Sequence, residues 1–125
     1  MKCPCHSGKS YEECCKPFHE GKPPENVLLL MRSRYAAYAL GLADYIIQTT
    51  HPTNPHFSNN REEILRFSKE TKFKDLTIHE WVDGETIAFV TFTAHLEQKG
   101  RDVSFTEKSR FVKEEGIWKY QSAEF

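Results

Sequence analysis

The sequence predicts an α+β domain, with helices laid on one face of a curved antiparallel sheet, behind a small metal-held knuckle at the N-terminus. Three observations carry that prediction. All four cysteines, Cys3, Cys5, Cys14 and Cys15, fall in the first fifteen residues. Between Glu25 and Glu70 the apolar residues recur at spacings of three and four, the helical period. From Phe73 onward the period switches to two, with turn signals between the runs, as in an antiparallel meander.

The bulk numbers fit this plan. The 125 residues make room for one ordinary domain and a small appendage. The chain is 38% hydrophobic and 28% charged, an ordinary balance for a soluble globular protein. A formal charge of −1 excludes a strongly basic nucleic-acid binder by composition. No apolar run approaches the roughly 18 residues needed to span a bilayer, and no hydrophobic leader stands before the cysteines. The expectation is a cytoplasmic protein with no membrane partner. Thiols stay reduced there, so their clustering reads as metal binding before disulfides.

The elements follow in order. Residues 1–24 comprise the knuckle and a linker, KPFHEGKPP, rich in proline and glycine. Residues 25–125 form the second unit. Pro23-Pro24 and Gly41 bracket a helix over 25–40, with Val27, Met31, Tyr35, Tyr38 and Leu42 as its apolar stripe and Arg32 and Arg34 off its centre. A second helix runs over 42–49, with Tyr45 and Ile46 inward, until His51-Pro52 breaks it. Asn59 or Asn60 caps a third over 61–70, with Ile64, Leu65 and Phe67 toward the core. Residues 73–82 alternate as a strand, Leu76, Ile78 and Val82 opposite Phe73, Thr77, His79 and Trp81. Asp83-Gly84 signals a hairpin into a long central strand over 85–98. Lys99-Gly100 turns the chain into a strand over 102–113, and a turn over 114–116 leads to a last strand over 117–122.

The cysteines suit one tetrahedral cation. Zinc takes four thiolates at about 2.3 Å. Cys3 and Cys5 can point inward from a tight turn stiffened by Pro4, while Cys14 and Cys15 arrive from a short helical turn. The backbone of Ser7-Gly8-Lys9-Ser10 is expected to donate to the Cys5 sulfur, with Gly8 supplying a positive φ. Four thiolates and one divalent cation leave two negative charges, and Lys2, Lys9 and Lys16 surround them. Neighbouring cysteines bridge each other poorly, which leaves crossed disulfides in an oxidising compartment as the plain alternative. Three thiolates with His6 or His19 are a variant ligand set. A phosphate-loop reading of Ser7–Ser10 fails, because Cys3 stands where that motif needs glycine.

CPCHSGKSYEECC resembles the SEC-C motif, the metal-binding knuckle found at the C-terminus of the SecA translocation ATPase and in several small bacterial proteins. Cys3, Cys5, Cys14 and Cys15 match its CxC, eight residues, then CC pattern, and His6 replaces the glycine usual there. The following KPFHEGKPPENVLLLMRSRYAAYALGLADYIIQTTHP is similar to the YchJ family of bacterial proteins, and the likeness runs through Trp118. That resemblance implies a cone-shaped fold like nuclear transport factor two, cystatin and ketosteroid isomerase over residues 25–125. It also implies zinc, with iron as the alternative, and contacts with proteins or the ribosome. Many relatives carry a second knuckle at the C-terminus, which these residues do not contain.

Cone folds can host catalysis in an apolar pocket that pairs a carboxylate base with a hydroxyl donor. Candidates for such a pocket are Tyr38, Asp44, Tyr45, His51, His79 and His95, although no spacing binds them into a set. Plainer readings compete: core aromatics for the tyrosines, a cap or an arginine pair for Asp44, a turn for His51 and strand-face residues for His79 and His95. An ion pair of Arg32 or Arg34 with Asp44 or Glu25 is the favoured expectation, with a site for an anionic partner as its alternative. The basic rim offers RNA only weak, salt-dependent contact. The sequence therefore favours a zinc-binding interaction module over an enzyme. A small-molecule pocket is its alternative, and pairing of two copies through their sheets is left open.

Overall fold

A computed structural model describes residues 1–54 and 61–124. The knuckle opens with a single bridge between Lys2 and Ser10. A 3-10 turn, Tyr11–Glu13, follows, capped by the Ser10 side chain accepting from the Glu13 amide. Helix α1 is one short turn, Lys16–His19, with Pro17 in its first positions.

Helix α2, Val27–Leu40, is the axis of the molecule. The Asn26 side chain accepts from the Leu29 amide at its start, and Gly41 at φ 74° ends it in the left-handed conformation that glycine adopts without strain. The predicted one-sided stripe is too narrow. Leu30, Ser33, Arg34, Ala36 and Ala37 are buried along with Val27, Met31 and Tyr35, so α2 meets neighbours nearly all round. Helix α3, Ala43–Gln48, buries Ala43 and Ile46. Helix α4, Arg61–Glu70, turns Phe67 toward the core but leaves Leu65 41% exposed, against the inward placement expected of it. The Asn59 or Asn60 cap lies outside the described residues.

The sheet is antiparallel, in the order β1-β2-β4-β5, with β3 pairing at the end of β2. Its strands are β1 Lys72–Val82, β2 Ile87–Gln98, β3 Arg101–Asp102, β4 Phe105–Glu114 and β5 Ile117–Glu124. Strand β2 is central, burying Ala88, Val90, Phe92, Ala94 and Leu96 on its inner face while the odd-numbered residues face out. Register shifts between Phe73 and Asp75 and between Ile78 and Glu80 break the strict alternation read for β1. They bring Phe73 onto the core beside Leu76 and Ile78, whereas Val82 ends 41% exposed. The strand predicted over 102–113 is interrupted between β3 and β4, where the Ser104 hydroxyl takes a hydrogen bond from the Leu96 amide.

Two turns have the expected chemistry: Lys99-Gly100 and Glu115-Gly116 carry positive φ at both residues, as tight hairpins need. Asp83-Gly84 instead lies in a four-residue loop, because β2 starts at Ile87 rather than Glu85. Glycine is obligatory there: a Cβ on Gly84 would stand 1.9 Å from the Ile87 carbonyl oxygen. The resulting sheet curls round α2, and the core fills the concave side with Val27, Leu30, Met31, Val90, Phe111 and Trp118.

Candidate functional site

The four cysteine sulfurs all lie within 4.8 Å of one another. Cys5 and Cys14 are 3.6 Å apart and Cys14 and Cys15 3.8 Å. A disulfide needs about 2.05 Å, so these are separate thiols. Four ligands at 2.3 Å from one centre stand about 3.8 Å apart along the edges of the tetrahedron, so the cage has the size of a tetrahedral thiolate metal site. Cys3, Cys5 and Cys15 are buried, and they form a small core of their own with Ala36 of α2.

Backbone turns hold the cage. The Cys3 amide donates to the Lys9 carbonyl at 2.9 Å, and the His6 amide to the Cys3 carbonyl at 3.1 Å. Gly8 has φ 89°, as expected, and His6 adopts φ 61°, a conformation in which glycine is at ease and histidine is not. The histidine gains a strut in exchange: its Nε2 donates to the Phe73 carbonyl of β1 at 3.1 Å, and its ring meets Tyr35 edge-on. The expected backbone donation from Ser7–Ser10 to the Cys5 sulfur is replaced by side chains. The Lys9 amide goes to Ser7 Oγ, Ser7 Oγ stands 3.2 Å from the Cys14 sulfur, and Arg32 Nη1 lies 4.0 Å from the Cys5 sulfur while donating to the Cys5 carbonyl at 3.0 Å.

Crowding makes the thiols unequal. The Cys15 thiol, hydrogen-bonding toward Cys5, pulls Cys5 down to about 4, and the same bond with burial pushes Cys15 up. Burial pushes Cys3 up to about 11. Such sulfurs must share protons unless a cation replaces them, and a coordinating thiol is deprotonated outright.

Neither histidine variant of the ligand set survives. His19 Nε2 donates to the Ser33 carbonyl at 2.8 Å, which leaves Nδ1 to accept from the Tyr11 hydroxyl at 2.7 Å. Both of its nitrogens are engaged, and burial holds its pKa below the usual histidine range. His6 points at β1. Glu12 and Glu13 stand exposed on the same knuckle as Lys2 and Lys9, so its outer face is mixed in charge and not a basic rim.

The second feature is a cavity of about 370 Å³ between α2, α4 and the concave sheet. Of the pocket candidates read from the sequence, only Tyr38 lines it. Asp44 is exposed and pairs with Arg61, not with Arg32 or Arg34. The Tyr45 hydroxyl stands 2.7 Å from Ser33 Oγ, and its ring packs against His19. His51 is held by Thr53 and Glu114. His79 and His95 hydrogen-bond Thr93 and Thr77 on the outer face of the sheet. The interior polar groups are Arg34, which the sequence set off the apolar stripe and not in a pocket, and Glu107, Ser109 and Tyr120, which the sequence reading missed. The alternation Phe105, Glu107, Ser109, Phe111 along β4 carried the signal, since it sets Glu107 and Ser109 on the face of two phenylalanines.

Comparison with known proteins agrees with this architecture. Residues 26–123 match the model of the YchJ family's middle, NTF2-like domain. A UPF0225 protein of Vibrio vulnificus strain CMCP6 is 40% identical over 127 aligned residues, covering 98% of this chain and 74% of that protein. The solution structure of a SEC-C motif containing protein from Rhodopseudomonas palustris superposes with a TM-score of 0.88 at 33% identity, covering 99% of this chain and 98% of the other. A crystal structure of a SEC-C motif containing protein from Psychrobacter arcticus gives 0.82 at 26% identity, covering 95% of this chain and 79% of the other.

Proposed function

We propose a role that starts from kinship: the chain belongs to the YchJ family, and its knuckle is a structural zinc site that presents a protein-binding surface in the cytoplasm. The observation that carries the zinc reading is the cage itself, four sulfurs within 4.8 Å with neighbouring pairs at tetrahedral spacing. Cys3, Cys5, Cys14 and Cys15 would hold the ion. Four protein ligands leave no open position for water or substrate, which speaks for a structural metal and against hydrolysis at this site.

The side chains nearby serve that role. Arg32 and Ser7 place donors against sulfur and offset the excess negative charge of a four-thiolate zinc site. His19, Tyr11 and Ser33 tie the knuckle to α2, so its outer face is presented rigidly. The mixture of Lys2, Lys9, Glu12 and Glu13 on that face favours a protein over RNA.

Elemental analysis of the chain purified without added metal tests the first half. The expected result is one zinc per chain, absent from Cys5→Ser and Cys14→Ser; iron in its place would overturn the choice of metal, and full retention in both variants the ligand set. The interaction half is tested by affinity capture with the metal-loaded chain and with a Lys2→Glu, Lys9→Glu variant, beside co-sedimentation with ribosomes. Capture of a protein that the charge-reversed knuckle loses is expected. Equal capture by both chains defeats the role.

A further inference from the structure

We infer that the cavity of the cone is a binding site for a neutral, flat, largely apolar molecule that offers one N–H or O–H donor to Glu107. A cavity of about 370 Å³ falls within the roughly 300–1,000 Å³ range of small-ligand sites. Its walls are aromatic and aliphatic, with Phe67, Phe73, Phe92 and Phe111 among them, so they suit a flat apolar body.

The polar groups set the rest of the ligand. Glu107 Oε2 accepts from Ser109 Oγ at 2.5 Å and from the Tyr120 hydroxyl at 3.0 Å. Two donors fix the carboxylate from one side. Oε1 accepts from none of the described residues, yet among those residues no side-chain polar atom is both fully buried and unpartnered, so Oε1 is open to an occupant. Glu107 lies on the inward face of β4 and lines the cavity.

Arg34 supplies the balancing charge. Its guanidinium lies over the Tyr120 ring, 4.8 Å from the centroid, and Nη1 donates to the Ile46 carbonyl and to the hydroxyls of Thr49 and Thr50. The cation is thereby fixed beside the pocket without a direct ion pair to Glu107, and the Tyr120 ring and hydroxyl link the two. The formal charges of Arg34 and Glu107 cancel, while Glu63 stands at the exposed rim. A charged ligand would upset that balance and lose its hydration on entering. A neutral donor satisfies Oε1 at no such cost.

The test uses N-phenyl-1-naphthylamine, a neutral aromatic probe with one N–H, and 1-phenoxynaphthalene, the same shape with an ether oxygen in its place. Fluorescence titration of the whole chain with the amine, and displacement of it by the ether, give the two affinities. The amine should bind one per chain and about tenfold more tightly than the ether, as one hydrogen bond to a carboxylate implies. Glu107→Leu should remove that preference while leaving ether binding within about twofold, with thermal melting used to verify its fold. Amide shifts on binding should centre on Phe92, Ser109 and Tyr120. No binding of the amine, equal affinities in the unaltered chain, or shifts centred on another surface would each overturn the proposal. The comparison of amine and ether in the unaltered chain decides the matter even where Glu107→Leu fails to fold.

Discussion

The knuckle and the cone reach order by opposite means. The cone buries a continuous apolar core of Val27, Leu30, Val90, Phe111 and their neighbours against a long helix. The knuckle buries three cysteines and borrows Ala36 from that helix. Its core is made of sulfur, and the groups that surround sulfur are hydroxyl, guanidinium and backbone. A short segment cannot remove enough apolar surface from water to offset its conformational entropy, whereas a cation bound by four thiolates supplies that free energy at a point. Each region is vulnerable in its own way: the knuckle to chemistry, the cone to shape.

The largest effect should come from the knuckle's chemistry. Cys14→Ser is expected to release the metal and with it most of the segment's folding free energy, on the order of 10 kcal/mol in comparable metal-folded peptides. Hydrogen exchange should then show residues 1–16 unprotected and β2 still protected. Loss of protection in both regions would erase the distinction. The cone's counterpart is Phe111→Ala, which empties a fully buried position and should cost about 3–5 kcal/mol in denaturant unfolding with metal content unchanged.

Arg32 joins the two regions and sharpens the contrast. Arg32→Ala leaves the Cys5 carbonyl without its donor and should cost about 1.5–3 kcal/mol, read as weaker metal retention against a competing chelator. No change in retention would mean that the cage holds its metal without help from α2.

His19 should give the smallest effect, and one that depends on pH. Burial holds its pKa below the usual value near 6.5, so the folded chain binds fewer protons there than the unfolded one. Stability from this residue is therefore full above that value and declines as pH falls below it toward the depressed folded pKa. His19→Gln can keep both hydrogen bonds without titrating. The two chains should melt alike at pH 7.5, and the variant should melt higher at pH 5.5. Parallel pH profiles would refute the assignment.

Much of this was legible in the sequence because the signals were local. The cage followed from cysteine spacing, α2 from Pro23-Pro24 and Gly41, and the meander from alternation broken by turn residues. What escaped was non-local. Arg34 reads as a helix charge paired with Asp44 or Glu25 until Thr49 and Thr50 of the α3 end close round it. A register shift between Phe73 and Asp75 sets Phe73 on the core face with Leu76, and a bulge is invisible in a strand's own period. Residue type points to the tyrosines and histidines, but only Tyr38 of that candidate set reaches the cavity, whose polar lining includes Glu107 and Ser109, marked in the sequence only by the company of Phe105 and Phe111.

Four successive residues of α2 answer to four different neighbours. Arg32 holds the knuckle, Ser33 meets Tyr45 and His19, Arg34 grips the end of α3, and the Tyr35 hydroxyl donates to the Asp75 carbonyl of β1. A helix seated in this way can neither roll nor slide, like a key whose every notch meets a separate ward. A shift of one residue would misalign all four locks together, so the spindle has one angular setting, and that setting fixes the sulfur cage and the hollow of the cone in a common frame.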